Sequence, residues 1–391
     1  MSQPQNVRIF DTTLRDGEQS AGVLFRESDK LEIAERLAAI GVDVIEAGFP
    51  AASPSEARAV SRIARQVRDA SICGLARAVP ADIDTAAEAL RDGAHPRIHV
   101  FVNASDAHLQ HQLHKSRAEV IALASASVAR ARSQVAEVEF SPMDATRADS
   151  AFLAELVRAA LAAGASVINI PDTVGYIMPA QLEALIADLY VRVPELHEAT
   201  LSFHGQDDLG LATANALSAV RAGARQIECT VNGIGERAGN TALEEVVLAL
   251  RVHGPALGVQ TNVRSEGIHA LSRLVEDKSG MSVSPNKPVV GRNAFRHASG
   301  IHQDGVLKQR QTYEVLDPAW VGHPEGTRIV LGKLSGRAGV VARARELGFS
   351  LSEAELARAY AMFQELADQQ REVFDADLAR VCEKARQSVG A

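Results

Sequence analysis

The chain has 391 residues, too many for one average domain and suited to one large barrel plus an appended region. Hydrophobic residues make up 46% but aromatics only 4%, so a large core must be built from Ala, Val, Leu and Ile, as in parallel strands covered by Ala-rich helices. The formal net charge of −8 offers nothing that attracts polyanions, which excludes nucleic acid as an expected partner, and no apolar run approaches the roughly 20 residues needed to span a membrane.

The N-terminal MSQPQNVRIFD lacks a basic stretch followed by an apolar one, so no secretory signal is expected and the default location is the cytoplasm. From there β-rich runs alternate with Ala/Leu/Arg/Glu-rich runs. The strand-like runs are VRIFD from Val7, VDVIEAGF from Val42, SICGLA from Ser71, RIHVFVN from Arg97, EVEFS from Glu137, SVINIPD from Ser166, TLSFHG from Thr200 and QIECTVNG from Gln226. Between them, SDKLEIAERLAAIG reads as a helix with Ser28 or Asp29 as N-cap and Gly41 as its stop, and LGLATANALSAVRAG as one closing on Gly223. Successive β–α units predict a closed (β/α)8 barrel. An open doubly wound sheet is disfavoured because no GxGxxG follows VRIFD. The pattern changes near residue 252. A helix is expected over Thr261 to Met281, then a loop-rich stretch, a short strand (RIVLG), a helix (GRAGVVARARELG) and a final amphipathic helical region. The expected division is a barrel over 1–255, an accessory subdomain over 256–325 containing an HQDG segment, and a helical subdomain over 326–391. The cysteines Cys73, Cys229 and Cys382 are far apart and lack CxxC spacing, so they are expected to pack as small hydrophobes.

In such a barrel the C-terminal strand ends hold the active site. Polar residues recur there: Asp11, Arg15, Asp16 and Gln19 after strand one, Glu46 on strand two, His99 on strand four, and Ser141 and Asp144 on strand five. Asn169, Asp172 and Thr173 end strand six. His204, Gln206, Asp207 and Asp208 end strand seven, and Asn232, Glu236, Arg237 and Asn240 follow strand eight. Burying so many polar groups is costly without a shared purpose. A metal is the simplest device to hold them together. His204 and Gln206 lie two apart on a strand and face one side. With the carboxylate of Asp16 and the amide of Asn240 they form a fairly hard donor set, favouring Mn²⁺ or Mg²⁺ over a structural Zn²⁺. Taken alone, His204 reads as an ordinary hydrogen-bonded core histidine; the strand-end context tips it toward a ligand.

Five runs carry a family resemblance: FDTTLRDGEQS (Phe10–Ser20), INIPDTVGY (Ile168–Tyr176), HGQDDLGLATAN (His204–Asn215), NGIGERAGN (Asn232–Asn240) and SGIHQDG (Ser299–Gly305). In these the chain resembles the 2-isopropylmalate and homocitrate synthase family, on its 2-isopropylmalate branch, from about residue 7 to 380. The resemblance implies a Claisen-type condensation of acetyl-CoA with a 2-oxoacid, in which a divalent metal polarises the ketone. It implies Asp16, His204 and Asn240 as metal ligands, with Gln206 beside them. Arg15 would bind the oxoacid and steady developing charge, and Thr173 would contact its carboxylate. His99, Ser141 and Asn169 join them as candidate substrate contacts, and Glu46 is a catalytic candidate or a buttress for Arg15. His302 and Tyr313 match residues that the appended region lends to a partner subunit's barrel, which implies a homodimer, with His302 the leading acid/base group.

Two positions depart from the family. Gln206 stands where many members have a second histidine, a weaker donor to soft metals. Met143 stands where the family has a Glu in a Ser-x-Glu-Asp run, and a thioether does no proton chemistry. Either Asp144, Glu46 or the His302/Tyr313 pair then carries the proton, or activity is altered. The family's full-length members continue into a leucine-binding domain while this sequence stops at Ala391, so inhibition by leucine through that domain is not expected.

Rival readings are a homocitrate, citramalate or methylthioalkylmalate synthase, and a non-catalytic metabolite-binding barrel. Glu139 stands where lysine-pathway members tend to carry an Arg. A biotin-dependent carboxyltransferase needs a strand-end lysine, but the only lysines before residue 252 are Lys30 and Lys115, both in helix-like runs. A lyase would carry a reactive cysteine in a Gly-rich loop, and Cys382 falls in a terminal helix.

Overall fold

The computed structural model describes residues 3–387; the chain's end at Ala391 lies outside them. They form two compact units, Met1–Val283 and Ser284–Ala391. In the first unit eight parallel strands close into a barrel: β1 Arg8–Asp11, β2 Val44–Gly48, β3 Ser71–Arg77, β4 Pro96–Asn103, β5 Glu137–Met143, β6 Val167–Asp172, β7 Thr200–Gly205 and β8 Gln226–Cys229. Each falls on one of the strand-like runs read from the sequence. β1 pairs with both β2 and β8, which closes the ring. Helices α1 Glu27–Ala39, α2 Pro54–Gln66, α3 Pro80–Leu90, α4 Arg117–Arg132, α5 Ser150–Ala162, α6 Pro179–Arg192, α7 Ala212–Ala222 and α8 Leu243–Leu257 cover it.

Two local expectations need correction. Helix α1 begins one turn earlier than Ser28 or Asp29. Arg26 is its N-cap, and Asp29 sits three residues inside, where its carboxylate accepts the Arg26 N–H. The helix expected over Thr261–Met281 is shorter: a 3₁₀ turn at Ser265–Gly267 leads into α9, Ile268–Ser279. Helix α9 packs on α1, so residues 256–283 belong with the barrel rather than with an accessory subdomain.

With helices outside and side chains inside, barrel strands are buried on both faces; every residue of β2 and β6 is buried. Inward-facing residues alternate along each strand and sort by height. Toward the N-terminal ends, the Arg97 guanidinium is fully buried. Its Nη1 donates to Glu139 Oε2 (2.8 Å) and Gln226 Oε1 (2.7 Å), and its Nε to Glu137 Oε2 (2.9 Å). Gln226 returns bonds to Glu139 Oε1 (2.8 Å) and Ser202 Oγ (3.0 Å). Phe10, Val44 and Cys73 form a small apolar cluster, and the C-terminal ends carry the polar groups described below. Cys73, Cys229 and Cys382 are all buried and unbridged.

The second unit holds α10 Gly300–Lys308, α11 Arg337–Glu346, α12 Glu353–Ala367 and α13 Asp375–Gln387, with a short parallel strand pair, Arg296–His297 and Arg328–Ile329. Its core is Leu331, Val340, Phe363, Leu378 and Cys382 with their neighbours. Among the described residues no helix is long and apolar enough to cross a membrane.

Breaking a buried ion pair by removing one partner leaves an uncompensated charge. Arg97→Met is therefore expected to lower unfolding free energy by roughly 3–5 kcal/mol, and adding Glu139→Gln to restore part of that. Denaturant unfolding checks this; a loss under about 1 kcal/mol would show that the network contributes little.

Candidate active site

At the C-terminal end of the barrel, the fully buried Glu46 of β2 joins two other elements, the turn after β1 and strand β4. Its Oε2 accepts from Thr12 Oγ1 (2.7 Å) and Arg15 Nε (2.6 Å), and its Oε1 meets His99 Nδ1 (2.8 Å). His99 Nε2 pairs with Ser141 Oγ (2.7 Å), and Asn169 Nδ2 donates to the same hydroxyl (2.9 Å). A polar chain thus runs across β2, β4, β5 and β6. Burial opposes charge on Glu46, but the Arg15 guanidinium and then His99 outweigh it and hold the carboxyl well below its ordinary range. Burial also opposes charge on His99, and Glu46 reverses it, raising that imidazole. Arg15 is held firmly protonated against desolvation by Glu46 and Asp16.

Arg15 Nη1 also donates to Asp16 Oδ2 (2.6 Å), which leads to the second cluster. Asn240 Nδ2 donates to Asp16 Oδ1 (2.8 Å), Gln206 Nε2 lies 3.5 Å from the same oxygen, and Gln206 Nε2 lies 3.0 Å from His204 Nε2. Gln206 and Asn240 face each other because the loop after β8 folds back on the end of β7 in an antiparallel bridge. Gly235 leaves room for the Asn240 amide in this position: a Cβ there would stand 2.1 Å from Asn240 Nδ2 and push that side chain aside. His204 Nδ1 is anchored by Glu228 Oε2 (2.9 Å), which leaves Nε2 aimed at the cluster. Burial opposes charge on Asp16, but Arg15 and then His204 lower its carboxyl; burial likewise opposes charge on His204, and Glu228 raises its imidazole.

Gln206 Oε1 and Asn240 Oδ1 are buried without a hydrogen-bond partner. Orphaned acceptors beside a carboxylate and an imidazole are what a cation site leaves behind when described without its cation, and amide oxygen and nitrogen exchange places by a simple flip. Among the described residues no three His, Cys, Asp or Glu side chains group as a metal cluster, so a cation here depends on the two amides. The residues present fit a hard divalent ion.

The two clusters share a cavity of about 230 Å³. Arg15, Asp16, His99, Ser141, Asn169, Thr173, His204 and Gln206 line it, with Leu75, Phe101, Met143 and Pro171 as an apolar wall. Thr173 Oγ1 also accepts the Asp144 N–H (2.9 Å). Other strand-end residues turn to structural tasks. Asp11 bonds Thr13, and Asp144 turns to Arg147 (2.6 Å) and His108 (3.2 Å). Asp172 holds Thr146 and the Ile177 N–H; Asn232 bonds Ser272. Asp208 pairs with Arg237 at the rim. Asp144 is therefore not placed to replace the family's Glu. Glu228 escaped the sequence reading, though a carboxylate two residues from Gln226 in a short buried strand was a signal. His302 and Tyr313 belong to the second unit, where their rings stack with centroids 4.1 Å apart.

The sequence matches the HMGL-like family over residues 6–275 and the homocitrate synthase post-HMGL domain-like family over residues 289–371. It is 54% identical to a 2-isopropylmalate synthase of Syntrophus aciditrophicus over 380 residues, covering 97% of this chain and 73% of that one. It is 55% identical to one from Synechococcus sp. (strain WH7803) over 399 residues, covering 98% and 74%. The fold is similar to HMG-CoA lyases from Bacillus subtilis (TM-score 0.60, 23% identity, 75% of this chain and 98% of that one) and Pseudomonas aeruginosa (TM-score 0.61, 24% identity, 72% and 96%). At those identities the likeness is one of fold alone.

Glu228→Gln is expected to weaken divalent-cation binding by about 10–100-fold, measurable by Mn²⁺ titration without any assay of turnover. Unchanged affinity would remove Glu228 from the site. The raised His99 imidazole also gives stability a pH signature. Its contribution is full below its unfolded value, about pH 6.5, and is lost as pH rises through the higher folded value. His99→Asn should abolish that alkaline loss in unfolding curves measured across neutral to alkaline pH; an unaltered curve would show that His99 is not charged at neutral pH.

Proposed function

Because the chain belongs to the HMGL-like family, among its 2-isopropylmalate synthases, we propose that it condenses acetyl-CoA with 2-oxoisovalerate to give 2-isopropylmalate and CoA, the first committed step of leucine biosynthesis, in the cytoplasm. The observation that carries the substrate reading is the two-sided cavity: a cationic and polar wall faces Leu75, Phe101, Met143 and Pro171.

On this reading Arg15, fixed by Glu46 and Asp16, offers its remaining N–H donors to the oxoacid carboxylate and to charge developing on the keto oxygen. Thr173 and the His99–Ser141–Asn169 chain orient the oxoacid. The apolar wall takes the branched aliphatic tail, and Arg237, the cavity's other cation, is already paired with Asp208, which disfavours a distal carboxylate and homocitrate synthesis. Asp16, His204, Gln206 and Asn240 would hold a divalent ion, Mn²⁺ or Mg²⁺, which would supply Lewis-acid polarisation of the ketone. Glu46 has both oxygens engaged and a lowered carboxyl, so it positions Arg15 and His99 rather than taking a proton. With Asp144 turned away and Met143 inert, proton removal from the acetyl methyl falls to His302 beside Tyr313, whose rings are exposed on the second unit and serve the barrel of a second copy in a homodimer. The resulting enolate carbon bonds to the keto carbon, and hydrolysis of the thioester releases CoA.

The test is to mix the protein with acetyl-CoA and each 2-oxoacid and follow thiol release with a chromogenic disulfide. 2-Oxoisovalerate should react fastest and 2-oxoglutarate slowest, with Mn²⁺ or Mg²⁺ restoring the stripped protein better than Zn²⁺. A different ranking reassigns the substrate, equal activity with Zn²⁺ defeats the metal preference, and no thiol release with any oxoacid points to a metabolite-binding barrel.

A further inference from the structure

We propose that Lys30, on helix α1 and outside the cavity, is a positioning residue that fixes the Arg15–Asp16 turn against the end of β2. Its ammonium is among the most deeply buried charges of the chain, 1% exposed. A buried ammonium is strongly unfavourable unless paired. Two carboxylates meet it: Glu18 Oε2 at 2.7 Å and Glu56 Oε1 at 2.6 Å.

Each partner belongs to a segment that carries site chemistry. Glu18 lies in the 3₁₀ turn Gly17–Gln19, directly after Asp16, and its other oxygen accepts the Phe25 N–H (3.0 Å), closing the loop that leads into α1. Glu56 lies in the first turn of α2, and its Oε1 also accepts the Phe49 N–H (3.2 Å). Phe49 follows Gly48, the last residue of β2, whose backbone passes so close that a Cβ would stand 1.9 Å from that oxygen. Lys30 therefore ties, from behind, the two segments whose inner faces present Arg15 and Glu46 to each other at 2.6 Å. No substrate or metal contact is needed for it to matter. Without the ammonium, two carboxylates converge on one point and repel. The cheapest relief is for Glu18 to swing toward solvent, and the Asp16 turn moves with it.

The inference rests on the reading of Asp16 as a metal ligand and Arg15 as the oxoacid clamp. The test uses the full chain and follows Mn²⁺ binding by electron paramagnetic resonance alongside steady-state kinetics. Lys30→Met is expected to raise the Mn²⁺ Kd by about tenfold or more, the scale of outer supporting contacts, and to raise the oxoacid KM. Lys30→Arg should recover part of both. Glu18→Gln, which removes only the arm to the Asp16 turn, should raise the Mn²⁺ Kd severalfold and decides the matter should Lys30→Met fail to fold. Folded Lys30→Met or Glu18→Gln with Mn²⁺ Kd and oxoacid KM within twofold of the unaltered chain overturns the positioning role alone. An unaltered chain that binds no Mn²⁺ overturns the metal reading and this inference together.

Discussion

The site depends on one buried carboxylate. Glu46 is fully inaccessible to solvent, yet it remains ionised because Arg15 and His99 face its two oxygens from opposite elements. Removing three ionisable groups from water is unfavourable, and their mutual attraction offsets that only in close geometry with the remaining lone pairs satisfied. Thr12 supplies that last bond. The requirement fixes the guanidinium plane, the imidazole orientation and, through His99, the Ser141 hydroxyl and the Asn169 amide. A single ion pair at the hub orders side chains from five strand ends or their loops.

Arg15 and Asp16 are adjacent in sequence, and this couples the hub to the amide-rich cluster. One bond from Arg15 Nη1 to Asp16 Oδ2 links the guanidinium hub to the amide-rich cluster. A cation held there would rely on the orphaned Gln206 and Asn240 oxygens rather than on a second imidazole. Amide oxygens are neutral and hard, so the cluster suits ions that prefer oxygen and holds soft ones less firmly. Met143 changes the opposite wall in the same direction, placing a polarisable apolar group that does no proton chemistry against the polar ones.

The barrel separates stabilising charge from working charge by height. Near the strands' N-terminal ends, Arg97, Glu139 and Gln226 bond one another, and Arg97 Nη2 is left only its ion pair with Glu137. At the C-terminal ends, Gln206, Asn240 and Asn169 each keep an unpaired oxygen. A closed network stabilises; an open one awaits a ligand. On β4 and β5 the lower network and the upper polar chain sit two residues apart, Arg97 below His99 and Glu139 below Ser141, because alternate residues of a strand point inward.

Much of this was legible in the sequence, for a physical reason. Parallel strands buried on both faces write continuous apolar runs, helices write a longer period, and a polar residue at the end of such a run is costly without a use; so the eight strands, the barrel and the strand-end set could be read directly. Side-chain direction beyond strand parity could not. Asp11, Asp144, Asp172 and Asn232 share the position and chemistry of site residues, but Asp11 and Asp172 alternate with the inward Phe10 and Pro171, and Asp144 and Asn232 are turned away by a left-handed backbone (φ 65° and 62°). Glu228 and Lys30 were missed because their roles are contacts with residues distant in sequence: His204 across a neighbouring strand, and Glu18 and Glu56 across two loops. The extent of α9 also moved, since its packing on α1 is a tertiary fact, and the start of α1 moved because Asp29 caps from inside the helix by accepting the Arg26 N–H. Sequence by itself determined the periodicity, the barrel and the inventory of polar groups; the three-dimensional closure of the barrel decided which of those groups meet, because only there does the electrostatic need of one buried charge select its partners.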